Sequence, residues 1–334
     1  EVASNVPRLD YSDGTCPSLL LEPIARNFLI QSESFDDVAW TKQPNTTFTY
    51  NTAETLCPNG TNNATKAVGN GTDGLIQAGV FATGVVARSI YLKSVTGTVN
   101  VILKDPNVTI TSKSLTVTTD WKRFDLVEDN GTSAQGMWID DIPSSGIYIW
   151  GAQLEENSYA TSYIKTVGTT QTRVADTANG AGNASTFNDS EGVLMAEISA
   201  LANDGSYRLI SISDGTQNQR ITILYDITDN KIYVQCVNVA TQVFIPFVPQ
   251  SISNNNKVAM KYKANDFALW VNGFEVGTDT NGSIPIGLDT LSFDRGDLVD
   301  PFYGNTKQMQ YFNTVLTDSE LETLTSWTSF TAMA

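Results

Sequence analysis

The sequence predicts an all-β protein: two β-sandwich (jelly-roll) domains with a short C-terminal helix. Three observations predict it. Short runs of β-branched and aromatic residues recur along the chain, punctuated by Gly, Asn and Asp turns. Only 17% of the residues are charged, and long Lys/Glu-rich amphipathic stretches are almost absent, which argues against a helical bundle. A length of 334 residues exceeds one ordinary domain and suits two, each able to bury its own core.

Residues 1–26 read as an irregular segment, with Pro7, Pro17, Pro23 and the turn pair Asp13-Gly14. Regular alternation begins at Asn27-Phe28-Leu29-Ile30 and defines a first domain over 27–175. Its clearest strands are 89–93, 99–103, 114–118, 137–140 and 147–150, separated by turns such as Thr96-Gly97-Thr98 and Ser144-Ser145-Gly146. Small residues then dominate 176–190, which reads as a linker. Its Gly180-Ala181-Gly182 lacks the feeding strand, the following helix and the third glycine of a nucleotide-binding loop.

A second domain spans 191–334, with strands at 193–198, 207–212, 221–225 and 258–262. Asn272-Gly273 between two apolar runs predicts a hairpin with a type I′ turn, because both positions tolerate the positive φ that this turn demands. Thr317-Asp318-Ser319-Glu320 forms a capping box, and Leu321 and Leu324 follow as the apolar face of one short helix.

Composition excludes several functions. A formal net charge of −16 offers no basic stripe to phosphates, so nucleic acid is not an expected partner. The absence of histidine removes Ser-His-Asp and Cys-His catalysis and His-ligated metals. No apolar run approaches the ~20 residues of a membrane span, and Glu1-Val2-Ala3-Ser4 lack the basic n-region and apolar h-region of a signal peptide, so membrane insertion is not expected. The first residue, Glu1 rather than Met, predicts an upstream segment. Three cysteines leave a Cys16–Cys57 disulfide open, whereas Cys236 in the run Ile232-Tyr233-Val234-Gln235-Cys236-Val237 reads as a small buried hydrophobe. The carboxylate pairs Asp140-Asp141 and Glu155-Glu156 are chain neighbours, which point to opposite faces of a strand and cannot form a glycosidase dyad alone. The expectation is a non-enzymatic protein.

The segments Asn27-Phe28-Leu29-Ile30-Gln31-Ser32-Glu33-Ser34-Phe35, Trp40-Thr41-Lys42, Ser89-Ile90-Tyr91-Leu92-Lys93, Thr119-Asp120-Trp121-Lys122-Arg123 and Ile149-Trp150-Gly151-Ala152-Gln153-Leu154-Glu155 occur in this order over the first domain. They resemble the carbohydrate-binding-module-like jelly rolls of tailed-bacteriophage structural proteins. Ala268-Leu269-Trp270-Val271-Asn272-Gly273, Pro301-Phe302-Tyr303-Gly304 and the ending 309–321 resemble a laminin-G or concanavalin-A-like sandwich. The pairing implies a virion-surface fibre or adhesin on head or tail, often a homotrimer, that recognises host-surface or environmental polysaccharide without catalysis. It equally accommodates a structural head-fibre or capsid/tail decoration protein whose β domains contact other virion proteins.

Candidate sites follow from alternation. With Ile90, Leu92, Met137, Ile139, Ile147 and Ile149 facing the core, Tyr91, Trp138, Tyr148 and Trp150 turn outward and are the glycan-binding candidates of one sheet face. The competing reading packs them under other parts of the protein, and Trp270 is read as packing. Asp294, Asp297 and Asp300 cluster between strands, with Asp204 and Asp214 in other loops, and form the candidate Ca2+ site. In the jelly roll, Glu33 and Glu155 resemble positions near the structural calcium of related modules. Arg295-Gly296-Asp297 spells a tripeptide that recurs by chance, and sequons such as Asn45 and Asn63 follow from an Asn/Thr-rich composition.

Overall fold

The computed structural model describes residues 6–12, 14, 16–80, 82–106, 112–129, 131, 135–228 and 230–327. The protein is all-β as expected, and its one helix among the described residues is Asp318–Thr325. No helix among these residues is long and apolar enough to cross a membrane. The chain divides into two compact units. Ile24–Val174 forms one, and the chain up to Pro23 joins Ala175 onward in the other.

The first unit is a sandwich of two five-stranded antiparallel sheets. One sheet runs Lys122–Asp129, Val85–Ser94, Ile147–Glu155, Ala64–Val68, Thr47–Thr52. The other runs Ser112–Val117, Val99–Lys104, Gln135–Asp140, Leu75–Val80, Thr41–Lys42. Alternation sends Ile90, Leu92, Val101, Leu103, Ile139 and Ile149 into one shared core, where all six are buried. Strand Ile147–Glu155 carries a bulge that reverses its parity: the register shifts between Trp150 and Gln153, around Gly151 at φ +65°. Ala152 and Leu154 thereby return to the core beside Ile147 and Ile149.

Arg88 breaks the apolar pattern on the core side of its strand. Its guanidinium is wholly buried and pairs with Glu128 and Asp105, while its Nε donates to the Gly136 carbonyl. A charge held this way is satisfied by geometry rather than by water.

The second unit also packs two sheets. A seven-stranded sheet runs Leu9–Asp10, Ser18–Leu21, Gly304–Phe312, Glu191–Ala200, Asn256–Lys263, Phe267–Val271, Phe274–Asp279. Facing it, a five-stranded sheet runs Ala240–Phe247, Ile232–Asn238, Gln219–Tyr225, Arg208–Ser213, Thr290–Ser292. Leu194, Met260 and Val271 meet Ile210, Ile223 and Val234 in the core between them. The Asn272-Gly273 turn adopts φ +52° and +90°, with Val271 opposite Phe274, and the capping box at Thr317 and Glu320 is formed. The helix lays Leu321 against Val193, Met195 and Trp270 on the other face of the seven-stranded sheet, so Trp270 is packing.

Two segments differ from the expectation. Within 1–26, Ser18–Leu21 is a strand paired with Gly304–Phe312, and Ala25–Asn27 pairs with Gln171–Arg173 in the first unit. The flanking prolines punctuate these short strands without preventing them. Within 176–190, Ala181 exchanges two backbone hydrogen bonds with Leu291, and Phe187 enters the core of the second unit, so the stretch is packed. Cys16, Cys57 and Cys236 are all free thiols, with Cys236 buried as expected.

Candidate functional site

The four aromatic candidates do not share a face. Trp138 lies on Gln135–Asp140 of one jelly-roll sheet, whereas Tyr91, Tyr148 and Trp150 lie on the other sheet. Tyr148 and Trp150 do point away from the main core, yet they are only 6% and 3% exposed. They join Cys57, Ala64 and the half-buried Tyr91, Trp121 and Tyr163 in a second small core. Trp150 Nε1 donates to Asn63 Oδ1 at 3.1 Å, and Tyr163 packs on the Trp150 ring with centroids 4.8 Å apart. Tyr148 donates its hydroxyl to Glu54 Oε2 at 2.9 Å, and burial, reinforced by that carboxylate, pushes the phenol up to about 12. Tyr91 packs at a tilt against Trp150, with centroids 5.3 Å apart, and lies 5.6 Å from the Arg123 guanidinium. Alternation identified the outward face of these residues, but chain segments distant in sequence cover it.

Trp138 is half-buried, and the Lys104 ammonium sits 3.7 Å from its ring centroid, held there by an ion pair with Asp140. A lysine therefore occupies the ring face that a sugar would need.

The acidic trio is not a gathered cation site. Arg295 grips Asp297 in a bidentate pair at 2.8 and 3.1 Å and reaches Asp300 at 3.4 Å. That hydrogen bonding holds the Asp297 carboxyl below its ordinary range. Buried Asp294 accepts from the Gly296 amide at 2.6 Å and from Asn179 at 3.4 Å. Asp204 is bound by Arg208, and Asp214 caps its own loop through Thr216. Glu33 accepts from Tyr163, Lys165 and Asn63, and Glu155 from Gln153, Asn157 and both donors of Thr161. Among the described residues no three metal-ligating acidic or thiol groups come together. Pairing with internal donors, which spacing in sequence does not reveal, has taken up these carboxylates.

A site that the sequence reading did not single out lies in the second unit, where the strands Ala240–Phe247 and Phe274–Asp279 approach at the edges of their sheets. Gly277 permits the approach, since a Cβ there would come within 2.5 Å of Ile245 Cγ2. At this edge opens a cavity of about 270 Å³. Phe247, Pro249, Val271 and Val276 form its apolar lining, and Phe274, delivered by the hairpin turn, is 68% exposed beside it.

The polar wall is the loop from Gln250 to Asn256. Asn256, 2% exposed, donates through Nδ2 to the carbonyls of Ser251 and Asn254 at 2.9 and 2.8 Å. Asn272 Oδ1 in turn accepts from the Lys257 amide and from Trp327 Nε1, both at 2.9 Å. Asn256 and Asn272 thus spend their amides on structure. The side-chain amides of Gln250 and Asn254 make no hydrogen bond among the described residues and remain for a ligand. Among those residues, none that lines the cavity is charged. Aromatic faces beside uncharged amides suit the C–H faces and hydroxyls of a sugar ring. The signal available in the sequence was the run Ser253-Asn254-Asn255-Asn256 before a strand, together with Phe274 directly after the Asn-Gly turn.

Fold and site together define a protein of two β-sandwich units with a neutral, aromatic-edged pocket. No protein-family model and no curated protein sequence matches the chain. Among solved structures it is similar to the CBM40 of the Ruminococcus gnavus IT-sialidase, with 18% identity and a TM-score of 0.38 over 45% of this chain and 95% of that one. It is also similar to the CBM22-1 xylan-binding domain of Paenibacillus barcinonensis Xyn10C, with 15% identity and a TM-score of 0.30 over 41% and 94%. Domains LG4-5 of the mouse laminin alpha1 chain give 8% identity and a TM-score of 0.31 over 93% of each chain.

Proposed function

We propose that this protein recognises glycans without catalysis, through the pocket edged by Phe274 and Phe247 and walled by the Gln250–Asn256 loop. One observation carries the reading: exposed Phe274 stands beside two uncommitted side-chain amides, Gln250 and Asn254, at a preformed cavity. Exposing a large aromatic costs free energy that a stacked sugar would recover. The segments that resemble tailed-phage fibre proteins support placing the chain on a virion surface in several copies, a trimer being favoured, where weak sites combine into avid attachment to host-surface or environmental polysaccharide.

The test is binding of the labelled full chain to a glycan array and to host cells, beside Phe274→Ala. Saturable binding weakened at least tenfold by Phe274→Ala supports the reading. Absence of binding even by a multimerised form, or binding indifferent to Phe274→Ala, overturns it. If the chain were found in purified particles without glycan binding, the structural fibre or decoration role would take its place.

A further inference from the structure

We infer that the pocket accepts a single uncharged sugar ring at the end of a glycan and excludes acidic sugars, an inference that rests on the glycan-binding reading of that site. Size is the first argument. Drug-sized ligands occupy clefts of roughly 300–1,000 Å³, and a cavity of about 270 Å³ falls just below that range. The buried Asn256 and Val271 close its inner side, joined to the hairpin through Asn272. A chain lying along the sheet would need a groove longer than this, whereas a cavity of about 270 Å³ has room for one terminal ring.

Charge is the second argument. No lysine or arginine lines the cavity among the described residues, whether from the loop, the strand ends or the hairpin. Lys257, next to the loop, is committed elsewhere: its Nζ donates to the Ser326 carbonyl at 3.1 Å and lies 4.7 Å from the Trp327 ring centroid. Glu275 pairs across the hairpin with Trp270 on the helix-covered face, while Phe274 pairs with Val271 of the main core. The acidic neighbour thus stands on the other face of its strand and offers an anion nothing. A sugar carboxylate entering here would lose hydration without meeting a cation, within a chain of net charge −16. With no titratable group on the lining among the described residues, recognition is also independent of pH between about 5 and 9.

The test presents the full chain with glycans ending in a neutral hexose or N-acetylhexosamine, the same glycans capped by sialic or uronic acid, and free monosaccharides as competitors. The expected result is binding to neutral ends, competition by a neutral monosaccharide, and at least a tenfold loss on acidic capping. Gln250→Lys, at an exposed position, should admit the acidic-capped glycans. Equal or tighter binding of acidic ends, or a requirement for internal oligosaccharide segments, overturns the inference while leaving glycan binding intact. A Gln250→Lys variant that still rejects acidic ends also overturns it. Silence toward every glycan fails the underlying reading instead.

Discussion

Asn272 donates its side-chain amide to the side-chain oxygen of Asn256 at 3.1 Å, joining the hairpin turn to the pocket loop. The two residues are 16 positions apart, Asn256 at the start of the strand Asn256–Lys263 and Asn272 in the turn after Phe267–Val271. Asn256 also holds the carbonyls of Ser251 and Asn254, so one buried amide shapes the loop that presents Gln250 and Asn254. Asn256→Ala leaves the Ser251 and Asn254 carbonyls and the Asn272 amide without their side-chain partner. It should lower stability by about 1–3 kcal/mol and weaken glycan binding through loss of loop order. Urea denaturation beside glycan titration checks both effects; unchanged affinity would separate the loop from the site.

The ion trio of the first unit makes an independent prediction about stability. Arg88 is wholly buried against Glu128 and Asp105, and burial pulls its pKa down although both carboxylates pull it up. Removing the cation strands two buried anions, so Arg88→Met should cost about 3–5 kcal/mol. Adding Glu128→Gln and Asp105→Asn to it should restore part of that loss. Denaturation midpoints of the single and triple variants decide, and glycan binding at Phe274 should survive wherever the protein stays folded.

Much of the architecture was legible because strand side chains repeat with period two. Ile90, Leu92, Ile139 and Ile149 therefore declared the core, and the Asn272-Gly273 turn and the Thr317 cap declared themselves through local chemistry. What escaped depended on contacts remote in sequence. Trp150 is covered by Asn63, 87 residues away, and Trp138 falls on the other sheet because its strand pairs with Val99–Lys104 and Leu75–Val80. A run of asparagines announces a loop, but only the fold brings it opposite Phe274. Alternation names the face that a residue takes, not what lies on top of it.

The covered aromatics should behave as core. Trp150→Ala removes a large side chain from the small cluster with Tyr163 and Tyr91 and should destabilise by about 3–5 kcal/mol. Any loss of glycan binding should follow the unfolded fraction. A folded Trp150→Ala or Trp138→Ala protein that no longer binds sugar would return the site to the jelly roll.

Alkaline pH offers a test of Tyr148. Its folded pKa, about 12, lies above the ordinary value near 10. The neutral phenol is thus favoured by the fold, and its contribution to stability is complete below pH ~10 and is lost as pH rises toward 12. Absorbance titration should show Tyr148 among the late phenols, and Tyr148→Phe should remove one of them. The variant should also lose less stability than wild type between pH 10 and 12. Titration of that phenol in the ordinary range would show that Glu54 and the covering segment do not hold it.

Chelation tests the acidic loop. Because Arg295 occupies Asp297 and Asp300 while Gly296 and Asn179 occupy Asp294, EDTA should leave the melting temperature and glycan binding unchanged. Arg295→Ala frees Asp297 and Asp300 from their internal cation, and like-charge repulsion between them should then lower stability modestly, by about 0.5–1 kcal/mol for a partly exposed pair. Added Ca2+ should compensate that loss in the variant and do nothing to the wild type. A calcium-dependent rise in wild-type melting temperature would mean that the carboxylates release Arg295 to bind the ion, and the arginine would then be a competitor for calcium rather than the permanent partner of the loop.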